Sequence, residues 1–174
     1  MAEVSSWLRE WEQAGKLRHL RPIHHRGGGQ IQFAASPGET WLDFSSNDYL
    51  ALSEHPAVME GSRQALSAWG AGAGAARLMS GDLVLCHRLE EEIARLKGQE
   101  GALLFGSGYM ANVGVIPALV GRGDVIFADR LSHASIVDGC RLSGARFLRF
   151  RHNDLGHLKR LLLEERGRGR ALIV

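Results

Sequence analysis

A chain of 174 residues with 45% hydrophobic and 23% charged residues is long and apolar enough to bury a core, which excludes an intrinsically disordered segment. Its net charge of +2 is scattered, and the one dense basic run, residues 166–170 (RGRGR), lacks the aromatic company of a nucleic-acid patch and reads as a basic loop. No apolar run reaches membrane-spanning length and the N-terminus has no signal-peptide core.

The two cysteines, Cys86 and Cys140, have neither a paired nor a metal-ligand spacing, which fits reduced thiols in a cytoplasmic protein. Cys86 and His87 are adjacent, and neighbours on a helix diverge by about 100°, so they make a poor zinc pair and no metal site is expected.

Residues 3–16 set Val4, Trp7, Leu8, Trp11 and Ala14 at helical spacing, with Gly15 as the stop. Two tryptophans on so short a helix fit docking onto another subunit, or onto this chain's own body. Residues 17–30 (LRHLRPIHHRGGGQ) contain Pro22 and three glycines, which exclude a long helix and read as an arm carrying Arg18 and Arg21. Residues 31–33 and 41–44 alternate like a small hairpin turned at Pro37-Gly38. The polar run of residues 45–50 (SSNDYL) favours a turn.

Pro56 opens a helix with Val58, Ser62, Ala65, Leu66 and Trp69 on one face. A glycine-rich loop follows from Gly70 and continues through Arg77, Ser80, Gly81 and Asp82. The next helix carries Leu85, Leu89, Ile93 and Leu96 as its stripe and stops at Lys97-Gly98.

From there the pattern is regular. Short apolar runs at residues 102–105, 125–128, 147–150 and 171–174 alternate with helix-length segments at 109–120, 132–142 and 154–165. That alternation predicts an α/β fold with a mostly parallel sheet and flanking helices. Ser132 and Asp154 are N-cap types, and Gly121, Gly144 and Gly167 sit near the stops. The expected domains are residues 1–44 (helix, arm and hairpin) and residues 45–174 (the start of a larger α/β domain). The last run ends at Val174, inside a predicted strand, so the chain is expected to be the first part of a longer protein.

Two sites carry chemistry. Gly106-Ser107-Gly108-Tyr109 lies between an apolar run and a helix, where glycines and the helix dipole let backbone N–H groups face an anion. It is neither a P-loop, with no Gly-Lys-Ser/Thr following, nor a GxGxxG fingerprint, with Ala111 at the third position. A tight turn needing glycine has the same sequence. His133 opens the helix after the run ending at Asp129, on the same carboxyl edge of the sheet. There it can stack on an aromatic ligand, bond a carboxylate, or serve as an ordinary cap. His24, His25, His55, His152 and His157 read as surface or loop residues.

Together the runs FSSNDYL, GAGAARLMSG, LFGSGYMAN, DRLSHASIVDGCRLSGA and FRHND, in this order and spacing, closely resemble the α-oxoamine synthases, fold-type I pyridoxal-phosphate enzymes that join an amino acid to an acyl thioester with loss of CO₂. The resemblance runs from about Leu17 onward. It implies pyridoxal 5'-phosphate as cofactor, with Gly108 and Tyr109 on its phosphate and His133 over its pyridine ring and beside the substrate. It also implies substrate contacts for Arg21, or Arg18 if the arm's register differs, and for Asn47 across a homodimer interface. Within the family the motifs look most like the branch that takes L-alanine and pimeloyl-CoA or a pimeloyl-carrier protein toward biotin. Ala76, where glycine-using relatives carry threonine, points the same way. Branches forming 2-amino-3-ketobutyrate or 5-aminolevulinate are the alternatives, and so is a non-catalytic dimerising half-domain. A nucleotide-binding module using Asp129 ranks last.

The family's Schiff-base lysine is absent. The only lysines are Lys16, Lys97 and Lys159, none in a serine- or threonine-flanked loop, so these 174 residues are expected to be inactive alone.

Overall fold

The computed structural model describes residues 2–174, which divide into two units, one ending at Gly81 and the other spanning residues 82–174. In the first unit, α1 (Ala2–Gln13) stops where Gly15 turns to φ 64°, and its Trp7 and Trp11 stand 59% and 57% exposed. The arm is shorter than expected. Its second half is a strand, β1 (Ile23–Gly27), antiparallel to β2 (Gln30–Phe33), which in turn pairs with β3 (Trp41–Leu42). Gly28 and Gly29, at φ 57° and 75°, form the two-residue loop, the left-handed pair that a tight hairpin turn demands. The second turn is the expected one, with Gly38 at φ 91° after Pro37.

Pro56 is the first residue of α2 (Pro56–Trp69), and Nδ1 of His55 caps it by accepting from Ala57 N at 3.3 Å. The following loop tightens into a single wide turn, Arg77–Gly81, in which Gly81 N donates to Ala76 O at 3.1 Å. A Cβ on Gly81 would fall 1.9 Å from the Ala75 carbonyl oxygen, so only glycine fits there.

The second unit is built on three parallel strands, β4 (Val125–Asp129), β5 (Arg146–Phe150) and β6 (Ala171–Ile173), in the order β5-β4-β6. With α3 (Val84–Lys97), α4 (Gly108–Leu119), α5 (Ala134–Leu142) and α6 (Leu155–Glu164) this is the expected α/β fold. Central β4 alternates its side chains between two layers. Ile126 packs with Ile116 and Val120 of the α4 segment and Cys140 of α5. Val125 and Phe127 pack with Phe150 and with Leu158, Leu161 and Leu162 of α6. Ile126 and Phe127 are 0% and 1% exposed, worth roughly 1.5–3 kcal/mol each in buried side chain. Burial also pushes the Cys140 thiol up, which keeps it unreactive.

Two expectations fail here. Residues 102–105 do not form a strand. No ladder partner lies beside them among the described residues, and Leu104 N donates instead to Glu90 Oε1 at 2.8 Å. That bond turns Glu90 inward on α3, so the buried face of α3 is Glu90 and Ala94, while Leu85, Leu89, Ile93 and Leu96 remain 40–80% exposed. No helix among the described residues is long and apolar enough to cross a membrane.

Helices α4 and α5 approach closely because Gly139 has no side chain. A Cβ there would meet Asn112 O at 2.7 Å and Ile116 Cδ1 at 3.1 Å. Alanine's better helix propensity recovers at most about 1 kcal/mol, against about 1–3 kcal/mol for overpacking. Gly139→Ala is therefore expected to lose stability in urea unfolding, whereas Gly101→Ala, whose Cβ meets nothing within 4 Å, should not.

Candidate functional site

The site grows from two helix starts. At the first, Ser107 is extended (φ −162°, ψ 159°) and caps α4, its Oγ accepting from Met110 N at 3.1 Å. The Ser107 carbonyl accepts from Ala111 N at 3.0 Å. Among the described residues nothing accepts from the amides of Gly108 and Tyr109, so these two donors remain at the positive end of the helix. The Gly-Ser-Gly loop thus fits a phosphate group.

At the second start, β4 ends at Asp129 and the chain turns into α5. The cap is His133, not the expected Ser132, because the imidazole rather than the hydroxyl accepts from an early amide of the helix: Ser135 N donates to His133 Nδ1 at 3.2 Å. Ser132 N is instead drawn back to Asp129 O at 3.1 Å. The His133 residue is exposed, as a ring that meets a ligand must be.

Side-chain bonds tie the two starts together. Tyr109 OH donates to Asp138 Oδ2 at 2.9 Å, and Asn112 Nδ2 donates to Ser135 Oγ at 2.8 Å. The bond to Asp138 raises the Tyr109 phenol above its ordinary range, so it stays a neutral donor. Gly108, Tyr109 and His133 therefore lie in one neighbourhood. Arg21 and Asn47 belong to the other unit. The Arg21 guanidinium sits 4.0 Å from the centroid of the Phe33 ring, and Asn47 Oδ1 accepts from Tyr49 OH at 3.4 Å.

One constellation escaped the sequence reading. Asp129 Oδ1 accepts from Leu131 N at 2.7 Å and pairs with His152 Nδ1 at 3.0 Å, while Oδ2 accepts from Asn153 N at 3.1 Å. Asn153 adopts φ 53°, a left-handed position that asparagine tolerates. Both carboxylate oxygens serve the two loops that leave the sheet, which removes Asp129 as a ribose ligand. The Asp-Arg and His-Asn-Asp runs were the available signal, but only the parallel register sets Asp129 against Phe150, next to them.

The Leu131 amide first, and then His152 and Asn153, hold the Asp129 carboxyl below the ordinary carboxylate range. A depressed folded value adds stability above the unfolded pKa of about 3.9, and that stability is lost as pH falls through the folded value. Asp129→Asn should be less stable at neutral pH and lose less stability on acidification, as read by urea melts across pH.

The family model for aminotransferase class I and II matches residues 39–174. The 8-amino-7-oxononanoate synthase of Geobacter sulfurreducens is 50% identical over 171 residues, covering 98% of this chain and 43% of its own length. Serine palmitoyltransferase of Sphingomonas wittichii superposes on 95% of the chain, with TM-score 0.84 and 30% identity, over 41% of its own length. A high-resolution structure of SPT with PLP as an internal aldimine covers 98% of the chain and 43% of its own length, at TM-score 0.87 and 25% identity. The chain thus spans less than half the length of these relatives. With most of its length under the family model, the chain belongs to the aminotransferase class I and II family, whose cofactor is pyridoxal phosphate, among relatives that are α-oxoamine synthases.

Proposed function

We propose that this chain forms the phosphate- and ring-binding part of an 8-amino-7-oxononanoate synthase, which condenses L-alanine with a pimeloyl thioester, on coenzyme A or a carrier protein, and releases CO₂. The observation that carries the reading is the pair of free donors at the start of α4: Ser107 takes the amides of Met110 and Ala111 and leaves those of Gly108 and Tyr109. Half-identity to a synthase of that name supports the specific reaction.

Pyridoxal phosphate supplies an electron sink for the charge left on the amino acid's α-carbon. The chain's own residues do the rest of what is assigned here. The Gly108 and Tyr109 amides anchor the phosphate dianion. His133 lies against the pyridine ring and borders the amino acid. Arg21 contacts the substrate, and Asn47 lies near it across the interface of a homodimer. In this reading residues 1–44 form the N-terminal segment, residues 45–174 begin the cofactor domain, and the protein works in the cytoplasm.

The Schiff-base lysine comes from polypeptide outside these 174 residues. Lys16 follows α1, Lys97 ends α3, and Lys159 lies on α6, and all three are exposed. Helix α6 packs on the opposite layer of the sheet from α4 and α5.

Two outcomes test this reading. Gly108 is the first helical residue and has no positive φ, and Ser107 before it is already extended, so proline fits at 108 without breaking the helix. Gly108→Pro deletes one charge-assisted donor worth about 1.5–3 kcal/mol, so pyridoxal-phosphate affinity should fall roughly 10- to 100-fold by fluorescence titration, with helicity unchanged. The 174-residue chain incubated with the cofactor alone should show no Schiff-base absorbance band that survives gel filtration, and with the cofactor, L-alanine and pimeloyl-CoA it should release no CO₂. Turnover by this chain overturns the assignment of the lysine, and turnover with glycine in preference to alanine by the protein that includes the lysine overturns the assignment of the amino acid.

A further inference from the structure

We propose that Asn112 and Ser135 are positioning residues that lock His133 into one tautomer and one ring orientation. The proposal rests on the reading of His133 as the residue against the cofactor ring. It starts from three bonds that converge on one nitrogen. Ser135 N donates to His133 Nδ1 at 3.2 Å, Ser135 Oγ lies 2.7 Å from the same Nδ1, and Asn112 Nδ2 donates to Ser135 Oγ at 2.8 Å.

The direction of the whole chain follows from its one fixed donor. A backbone N–H cannot accept, so Nδ1 must be the acceptor and carries no hydrogen. The Ser135 hydroxyl then gives its single hydrogen to Nδ1 and receives from the Asn112 amide. In the neutral ring the hydrogen therefore sits on Nε2, at the other side of the imidazole. Ser135 is 1% exposed, so its hydroxyl has no water to turn to. Asn112 is kept in reach by the close packing of the two helices: the space beside Gly139, on the same helix as Ser135, is so narrow that a Cβ there would fall 2.7 Å from Asn112 O. The exposed ring is thus held at its inner nitrogen by two donors, one from the backbone and one from a buried hydroxyl. A ring that must lie flat against a ligand loses less freedom on binding when it is fixed in advance.

The test uses two variants and two readouts. Ser135→Ala removes the hydroxyl. Asn112→Asp is nearly isosteric, but its carboxylate only accepts, so it draws the Ser135 hydrogen away from His133. The tautomer is read from two-bond ¹H–¹⁵N correlations of histidine in the 174-residue chain, at a pH where the ring is neutral. Unmodified protein should show His133 as the Nε2–H form alone; Asn112→Asp, which turns the Ser135 oxygen's lone pairs toward Nδ1, should give a mixture of both forms, while Ser135→Ala keeps the backbone donor and with it the Nε2–H form. Pyridoxal-phosphate affinity, measured by titration, should fall about tenfold in each, or roughly 1.4 kcal/mol. In a His133→Ala background neither variant should weaken it further.

A single Nε2–H form in Asn112→Asp overturns the proposal, as does an equal loss of affinity in the His133→Ala background. If His133→Ala alone leaves cofactor affinity intact, the placement of His133 in the cofactor site fails instead, and the tautomer spectra still decide whether the lock exists.

Discussion

Everything at the candidate site hangs from the burial of β4 between two parallel neighbours. Parallel strands cannot be joined by tight hairpins, so each must cross over through a helix, and each carboxyl end opens into a loop on the same edge. Phe150 O accepts from Arg130 N at 2.9 Å just beyond the ladder, carrying the register of β4 and β5 into those loops. Asp129 then ties the loop after β4 to the loop after β5 through Leu131, His152 and Asn153. The strand supplies rigidity, and the aspartate passes it to segments that have no ladder of their own. His133 begins a helix whose entry is fixed in this way.

The second unit was largely legible in the sequence because its signals are local and repeated. Apolar runs of strand length, helices of three turns, an aspartate cap at 154 and glycines at the stops all agree with one another, and consistency of that kind specifies a fold. The same reading missed β1 because His24, His25 and Arg26 carry no alternation of polar and apolar side. All three are exposed, and the strand exists because Gly28 and Gly29 reverse the chain onto β2. It wrongly made a strand of residues 102–105 because hydrophobicity marks burial, not pairing. Ladder bonds need a neighbour, and at Leu104 the neighbour is a carboxylate from α3.

The site divides along the same line. A Gly-Ser-Gly loop before a helix, and a histidine after a strand, are visible as short motifs with a stated mechanism. What holds them is not. Asn112 and Ser135 stand 23 residues apart on different helices, and nothing in either segment announces the other. Ser132 looked the better cap by residue type, yet the imidazole took that place. Residue-type preference ranks candidates for a cap, but the geometry of the preceding turn chooses among them.

The way Ser107 spends its own polar atoms decides which amides the helix start offers. By capping Met110 N with its hydroxyl, it leaves the amides of Gly108 and Tyr109 as adjacent donors. Two donors match two oxygens of a single terminal phosphate monoester. The serine between the two glycines therefore caps the helix through its hydroxyl and leaves the amides of the two residues spanned by that bond to face an anion.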